Sequence, residues 1–366
     1  MRNLSLLRSA IVISVSLLVV ACDDTGTSPG EQSQSSANTS QQTPKRDFVV
    51  LDGGARFSGE IIQGKKQGFG VYIWANDDRY EGDWINDVMS GLGVFTDNAG
   101  RTYEGQWVDG QYGGDGTYKW PSGSVYKGQF VNGQKNGNGT YTWSDGRVYV
   151  GEFRSDKKNG TGSYQWPDGR KYTGQFINDE RTGRGRLLSP DGESYDGQFL
   201  QGAQHGSGKA SYPDGSVYDG EFDEDQKAGR GSMKWATGEL YSGEFGNDAP
   251  NGNGTMQWPN GNRYEGKFIS GIMQGRGKYY WQDGRVYDGE FKHGKRTGKG
   301  SLQWPSGERY IGDFIEDTRE GRGTFSWPDG SKYVGSFSQS QLNGRGTCTA
   351  DGQTSPCRFD KGVRIE

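Results

Sequence analysis

Few side chains in this sequence stand in a pattern that reactive chemistry could use. His205 and His293 are its two histidines, and neither lies in a motif. Both fall between units of a repeating pattern, at positions that other copies fill with Asn, Thr, Gln or Asp, which is the setting of a solvated turn residue. The run Asp223-Glu224-Asp225 offers three carboxylates, but it lacks the alternating ligand spacing of a calcium loop and is followed closely by Lys227. Gly-x-Gly recurs thirteen times with no helical pattern after it, which excludes a phosphate-cradling loop. No nucleophile has a base nearby in sequence, so the sequence assigns no catalytic residue, metal site or cofactor and points to a non-enzyme.

The sequence has three cysteines. Cys348 and Cys357 flank Asp351-Gly352, a hairpin turn signal, at similar distances from its centre, so they are expected to face one another across two antiparallel strands and form a disulfide. Cys22 has a different setting. Arg2 and Arg8 precede an apolar stretch from Ala10 to Val20, and that stretch, at about 1.5 Å per residue, rises only about half the thickness of a bilayer core. It reads as a signal peptide. The segment Val19-Val20-Ala21-Cys22 resembles the lipobox of bacterial lipoproteins, which implies cleavage after Ala21 and lipidation of Cys22 by a diacylglycerol and an acyl chain. Two or more chains anchor a protein stably where one does not. The acidic pair Asp23-Asp24 resembles an inner-membrane retention signal, so an inner-membrane anchor with the rest of the chain outside the cytoplasm is expected. Disulfide formation suits such an oxidising compartment.

The remaining sequence bounds what can position these groups. Only 30% of the 366 residues are hydrophobic and 64 are glycine, yet there are 20 Tyr, 16 Phe and 11 Trp, far too many for a solvated coil. The formal net charge of -4 falls to about -6 without Arg2 and Arg8, so no global attraction to nucleic acid is expected. From Phe57 to Tyr333, Tyr-x-Gly-x-aromatic returns every 23 residues, as in Tyr103 to Trp107 and Tyr264 to Phe268. Between these elements come Gly-x-Gly strands ending in Trp, then Pro-Asp-Gly or a variant. Residues two apart share a face of a strand, so Tyr264, Gly266 and Phe268 line one side with Gly252, Gly254, Met256 and Trp258, and the glycines read as holes for the rings of neighbouring repeats.

This pattern resembles MORN repeats. The resemblance implies an all-β fold: an elongated, single-layer antiparallel meander of thirteen 23-residue β-hairpins, stable only through contact between neighbours. The expected organisation is a signal peptide over 1–21, an acylated start and Ser/Gln/Thr-rich tether over 22–47, the array over 48–347, and a disulfide-stapled cap over 348–366. In that cap Arg358 falls where a strand glycine is due. Trp is missing at Ser189 and Tyr212, where a bend or softer joint is expected. Two groups are left for binding. Trp120, Trp143, Trp166, Trp258, Trp281, Trp304 and Trp327 stand near the rim of the aromatic face, and Arg276, Lys299, Arg322 and Arg345 form a basic ladder at repeat spacing. The expected function is a membrane-anchored, periplasm-facing scaffold that binds a partner protein segment through its aromatic groove. The alternative is an envelope-ligand binder that holds cell-wall glycan or anionic phospholipid through the rim aromatics and the basic ladder.

Overall fold

The computed structural model describes residues 47–366. The calls for a signal peptide, for lipidation at Cys22 and for a tether up to residue 46 lie outside them. The described residues form one antiparallel sheet of 29 strands, and the only helical element among them is one turn at Asp52–Gly54. Each strand pairs with the strand before it and the strand after it, from Val49–Val50 to Val363–Arg364. The sheet is therefore a meander, as the repeats required.

One repeat shows how the sequence makes the ribbon. Lys171–Ile177 carries Tyr172, Gly174 and Phe176, turns back at Asn178-Asp179, and pairs with Glu180–Leu188. Asn178 and Asp179 have φ of 50° and 77°, the paired left-handed conformation of a tight two-residue hairpin. At the opposite edge a looser turn is built on the Pro-Asp-Gly type of sequence. In Trp166-Pro167-Asp168-Gly169 the Gly169 amide donates to the Trp166 carbonyl at 3.0 Å, and the Asp168 carboxylate accepts from the Arg170 amide at 3.0 Å. Each returning strand also holds a bulge. Between Gly174 and Gln175 the register slips, so that Gly174 faces Gly185 while Gln175 faces Thr182, and the bulge glycine Gly183 sits at φ +57°. The side chain of Gln175 accepts the Arg184 amide at 3.2 Å, and Glu152 does the same for Thr161 at 2.8 Å. The Gln, Glu or Asp after the strand glycine thus closes the bulge.

The core is a single row of rings. Tyr80, Tyr103, Tyr126, Tyr149, Tyr172 and their later equivalents are essentially inaccessible. Each ring lies over two glycines of its own repeat: a Cβ on Gly174 or Gly185 would come within 2.5 Å of the Tyr172 ring or hydroxyl. The glycine holes are therefore filled from within each repeat, and neighbouring repeats are joined in another way. The aromatic four residues after each tyrosine packs edge-to-face on its own tyrosine and on that of the preceding repeat, as Phe199 does on Tyr195 at 5.1 Å and on Tyr172 at 5.0 Å. The phenol hydroxyl donates to the carbonyl three residues on, at 3.0 Å for Tyr172 to Gln175.

Pairing runs through Ser189 and Tyr212 without a break, and what these rungs lose is side chains. Two expectations need correction. His205 lies inside the strand Ala203–Ser211, 3.2 Å from Asp223, whereas His293 does occupy a tight turn, at φ 51°. The cap is shifted by one residue. Asp351-Gly352 closes a two-residue turn in place of the looser one, so Cys357, not Arg358, stands opposite Gly346 in the glycine position, and Arg358 faces Arg345. Cys348 pairs in register with Ser355, which places the two cysteines diagonally rather than directly opposite, on one face, where they form a disulfide with Cα atoms 5.8 Å apart. Phe359 then packs on Tyr333 at 5.0 Å and continues the ring row into the cap.

Gly185→Ala is expected to destabilise the array by about 1–3 kcal/mol, because the added methyl can be placed only by moving Tyr172 off its floor; urea midpoints measure this. Burial pushes Tyr172, Tyr195, Tyr241, Tyr264 and Tyr310 up to about 12 from an ordinary 10.0. The folded chain holds these protons more tightly than the unfolded one, so their contribution is complete below pH 10 and is lost as pH rises toward 12. The unfolding temperature is expected to fall across that window, with phenolate absorbance appearing together with unfolding.

Candidate functional site

The two faces of the sheet offer different chemistry. On the aromatic face, Trp120, Trp143, Trp166, Trp258, Trp281, Trp304 and Trp327 all open the looser turns and are half-buried against the core rings. Five of them pack on the ring two residues before, and four meet a ring of the next repeat. Trp143 lies 4.3 Å from Tyr141 and 5.5 Å from Tyr164. These tryptophans are thus both packing and surface: one side of each ring extends the core, and the remainder stays accessible.

Sequence reasoning missed a second row on this face. Lys66, Lys135, Lys158, Arg181, Lys227, Arg296 and Arg319 recur at multiples of 23 residues and lay their cations over the rings. Lys158 stands 5.7 Å from the centre of Trp143 and 5.1 Å from that of Tyr164. For five of the seven the pull of the ring faces is joined by a carboxylate from the next repeat's tight turn, as Lys158 pairs with Asp179 at 3.7 Å, Lys135 with Asp156 at 3.2 Å and Arg296 with Asp317 at 2.9 Å, whereas Arg181 and Arg319 donate to the carbonyls of Gly202 and Ser340. The same Asp accepts the amide of the residue it pairs with, as Asp179 does from Lys158 at 3.0 Å. Where the row carries Met89, Tyr112, Pro250 or Met273, the corresponding turn residue is Gly110, Gly133, Gly271 or Gly294. That exchange, 21 residues apart, was the available sequence signal. Burial lowers the Lys158 ammonium from its usual value, and Asp179 opposes the shift.

On the opposite face the ladder is where the repeat places it, and its rungs differ. Lys299 is ion-paired to Asp313 at 2.5 Å, which holds that carboxyl below its usual range. Arg276 stands opposite Glu290 in register, Arg322 opposite Ser336, and Arg345 opposite Arg358. Cross-strand neutralisation therefore fades toward the cap. All four line one trough of 870 Å³ together with Arg309 and the half-exposed aliphatic side chains Ile311 and Val334. A trough of 980 Å³ near the other end of the same face carries Glu81, Glu104 and Asp115 beside Leu92 and Val94.

A 23-residue hairpin stacked on its copies through edge-to-face rings defines a single-layer β-repeat protein. The MORN repeat family model matches thirteen segments between residues 57 and 354, from 57–79 to 333–354. The chain belongs to the MORN repeat family. No curated protein matches it as a relative. Among solved structures it is similar to the TCP domain of SAS-4 (dCPAP) from Drosophila melanogaster in complex with a proline-rich motif of Ana2, at 16% identity and a TM-score of 0.27, covering 42% of this chain and 85% of that one. It is also similar to the TCP10 domain of CPAP from Danio rerio in complex with a STIL peptide, at 16% identity and a TM-score of 0.21, covering 70% and 93%. Scores this low carry nothing further to this chain. As a MORN array it is a repeat scaffold of the kind that serves protein or membrane interaction.

Lys158→Met is expected to cost less than about 1 kcal/mol, since Met already fills this row at 89 and 273 and the Asp179 carboxylate of the pair is half exposed. A double-mutant cycle with Asp179→Gly, read by urea unfolding, is expected to return a coupling of the same small size.

Proposed function

We propose that this protein is a membrane-anchored, envelope-facing scaffold whose aromatic face holds a segment of a partner protein. The half-buried tryptophan row supports this reading most directly, because its rings keep accessible faces after the packing of the core is complete. Large rigid rings bordered by charge are the usual anchors of a protein interface. Cys22 carries the anchor in this proposal, the inner membrane is its site, and the array lies outside the cytoplasm; no catalytic role is proposed.

A second reading is favoured by the basic trough. Arg322 and Arg345 have no carboxylate opposite them and lie beside Ile311 and Val334, a combination suited to anionic lipid headgroups above an apolar layer. A cell-wall glycan is the other envelope ligand of this reading.

The experiment uses the full-length chain in its host. Cys22→Ser is expected to remove palmitate labelling and release the protein from the membrane fraction. In capture from detergent extract, a specific protein is expected to be recovered with wild type and with an Arg322→Ala/Arg345→Ala variant, and at least about tenfold less with Trp258→Ala/Trp281→Ala/Trp304→Ala. Equal recovery with the tryptophan variant, once thermal unfolding shows it folded, overturns the reading. Binding to anionic vesicles that requires Arg322 and Arg345, with no protein recovered, establishes the second reading in its place.

A further inference from the structure

The aromatic face is interrupted by a cavity of 680 Å³ whose lining includes Leu187, Ser189, Glu193, Ala210, Tyr212 and Asp225. The equivalent space one repeat earlier, among Lys158, Trp166 and Arg181, measures 280 Å³. The larger volume has a simple cause. Ser189 replaces the tryptophan of that rung, and Leu187 and Ala210 replace the ring that precedes the turn. Ring contacts along this row accordingly stop at Tyr164–Trp166 and resume at Trp258–Tyr279. A missing ring does not by itself open such a space. At Asp97, which also replaces a tryptophan, the carboxylate is buried, takes Arg101 as an ion pair, and has Tyr112 and Tyr118 nearby.

The same rung lacks two of the cations that other rungs carry, at the positions of Gln204 and Glu193. Asp87, Asp156, Asp179, Asp248 and Asp317 are each ion-paired to the Lys or Arg of the preceding repeat. Asp225 holds the corresponding turn position, but its partner is Gln204, whose amide it accepts at 2.7 Å. The turn position from which Arg147, Arg170 and Arg285 cover their own tryptophans is Glu193 here. Two cations do line the cavity, Arg170 and Lys227, and both are already engaged, Arg170 with Asp168 at 2.8 Å and over the Trp166 ring. Arg181 donates to the Gly202 carbonyl and lies over Trp166, Tyr172 and Phe199. Lys227 is shared between Asp248, at 3.3 Å, and the Tyr212 hydroxyl, at 3.2 Å. The rung therefore lacks one flat group and two of the cations that other rungs carry, and it presents two carboxylates, Glu193 and Asp225, that have no ion-pair partner among the described residues.

We propose that this cavity receives an arginine side chain from the partner protein segment. An arginine has both missing properties: its methylene stem suits Leu187 and Ala210, its guanidinium plane can take the space of the ring missing at Ser189, and its fork of donors suits the carboxylates of Asp225 and Glu193. A lysine would supply charge without the plane, and an indole the plane without the charge. The size of the cavity lies within the range of about 300–1,000 Å³ typical of ligand sites. This inference rests on the reading of the aromatic face as a protein-binding groove, and it gives that groove its selectivity.

The test measures binding of N-acetyl-arginine methylamide to the full-length chain in detergent micelles by saturation-transfer NMR, with N-acetyl-tryptophan methylamide and N-acetylglucosamine as comparison probes. The arginine probe is expected to bind best. Gln204→Arg supplies the missing cation from within the chain, and Asp225→Asn removes the receiving charge; each is expected to weaken the arginine probe about tenfold, the loss of one charge-assisted hydrogen bond. Gln204→Arg restores a residue type that the row already uses at Arg181 and Arg296, so an unchanged or raised unfolding temperature is expected of it; were it to fall, Asp225→Asn alone decides. Unchanged arginine binding in the deciding variant, or tighter binding of the tryptophan or sugar probe to wild type, overturns the proposal. Failure of the arginine probe while partner capture persists removes this inference alone. Failure of partner capture removes the groove reading whatever the probes show.

Discussion

A phenol ring can lie flat across two hydrogen-bonded strands only where neither strand has a side chain, and this sheet is organised around meeting that condition in each repeat. Tyr172 covers Gly174 and Gly185 so closely that one methyl group on either would collide with it. The arrangement makes a core one ring thick, with no second layer of structure above it among the described residues. Burial of the tyrosines is then completed by the aromatic from the next repeat, which is why a lone hairpin could not keep its own core dry and why stability is shared between neighbours. The bulge glycine and the Gln or Glu that closes it let the returning strand keep its pairing in each copy despite the extra residues.

Much of this was legible in the sequence because period and face are arithmetic. Twenty-three residues without an insertion fixed the number of hairpins, and alternation placed Tyr264, Gly266, Gly254 and Met256 on one face, where the register puts them. What sequence could not give was ownership and count. Nothing in the pattern says whether a glycine is covered by the tyrosine of its own repeat or of the next one. Counting by 23 past Tyr333 put Arg358 in the glycine position, but the cap exchanges a five-residue connection for a two-residue turn, and one residue of difference moves a side chain to the other face. The cation row escaped notice because Met, Tyr, Gln, Pro and Leu interrupt it and because its carboxylates belong to the following repeat.

The two faces also differ in how far packing accounts for them. On the aromatic side, cations, rings and carboxylates neutralise one another in five repeats, and a carboxylate of this row without its cation stands at Asp225, beside Ser189, Gln204 and Ala210. On the opposite side the acidic residues have local work, accepting bulge amides or pairing with a neighbouring base, until the last repeats leave arginines facing serine or another arginine. A regular array thus makes its irregular places conspicuous, since each can be compared with a dozen copies of itself in the same chain.

The meander has a mechanical consequence as well. Its hydrogen bonds run along the length of the ribbon, perpendicular to the strands, so tension applied between its two ends loads them in the opening direction rather than in shear. Strands would peel from an end in sequence instead of resisting together, and each repeat released would add roughly 70 Å of slack from 23 extended residues. At the far end the Cys348–Cys357 link closes its hairpin covalently, so tension there passes through the sulfurs and the residues between the two cysteines add no slack. Under load such a ribbon would behave as an extensible strap that pays out one repeat at a time.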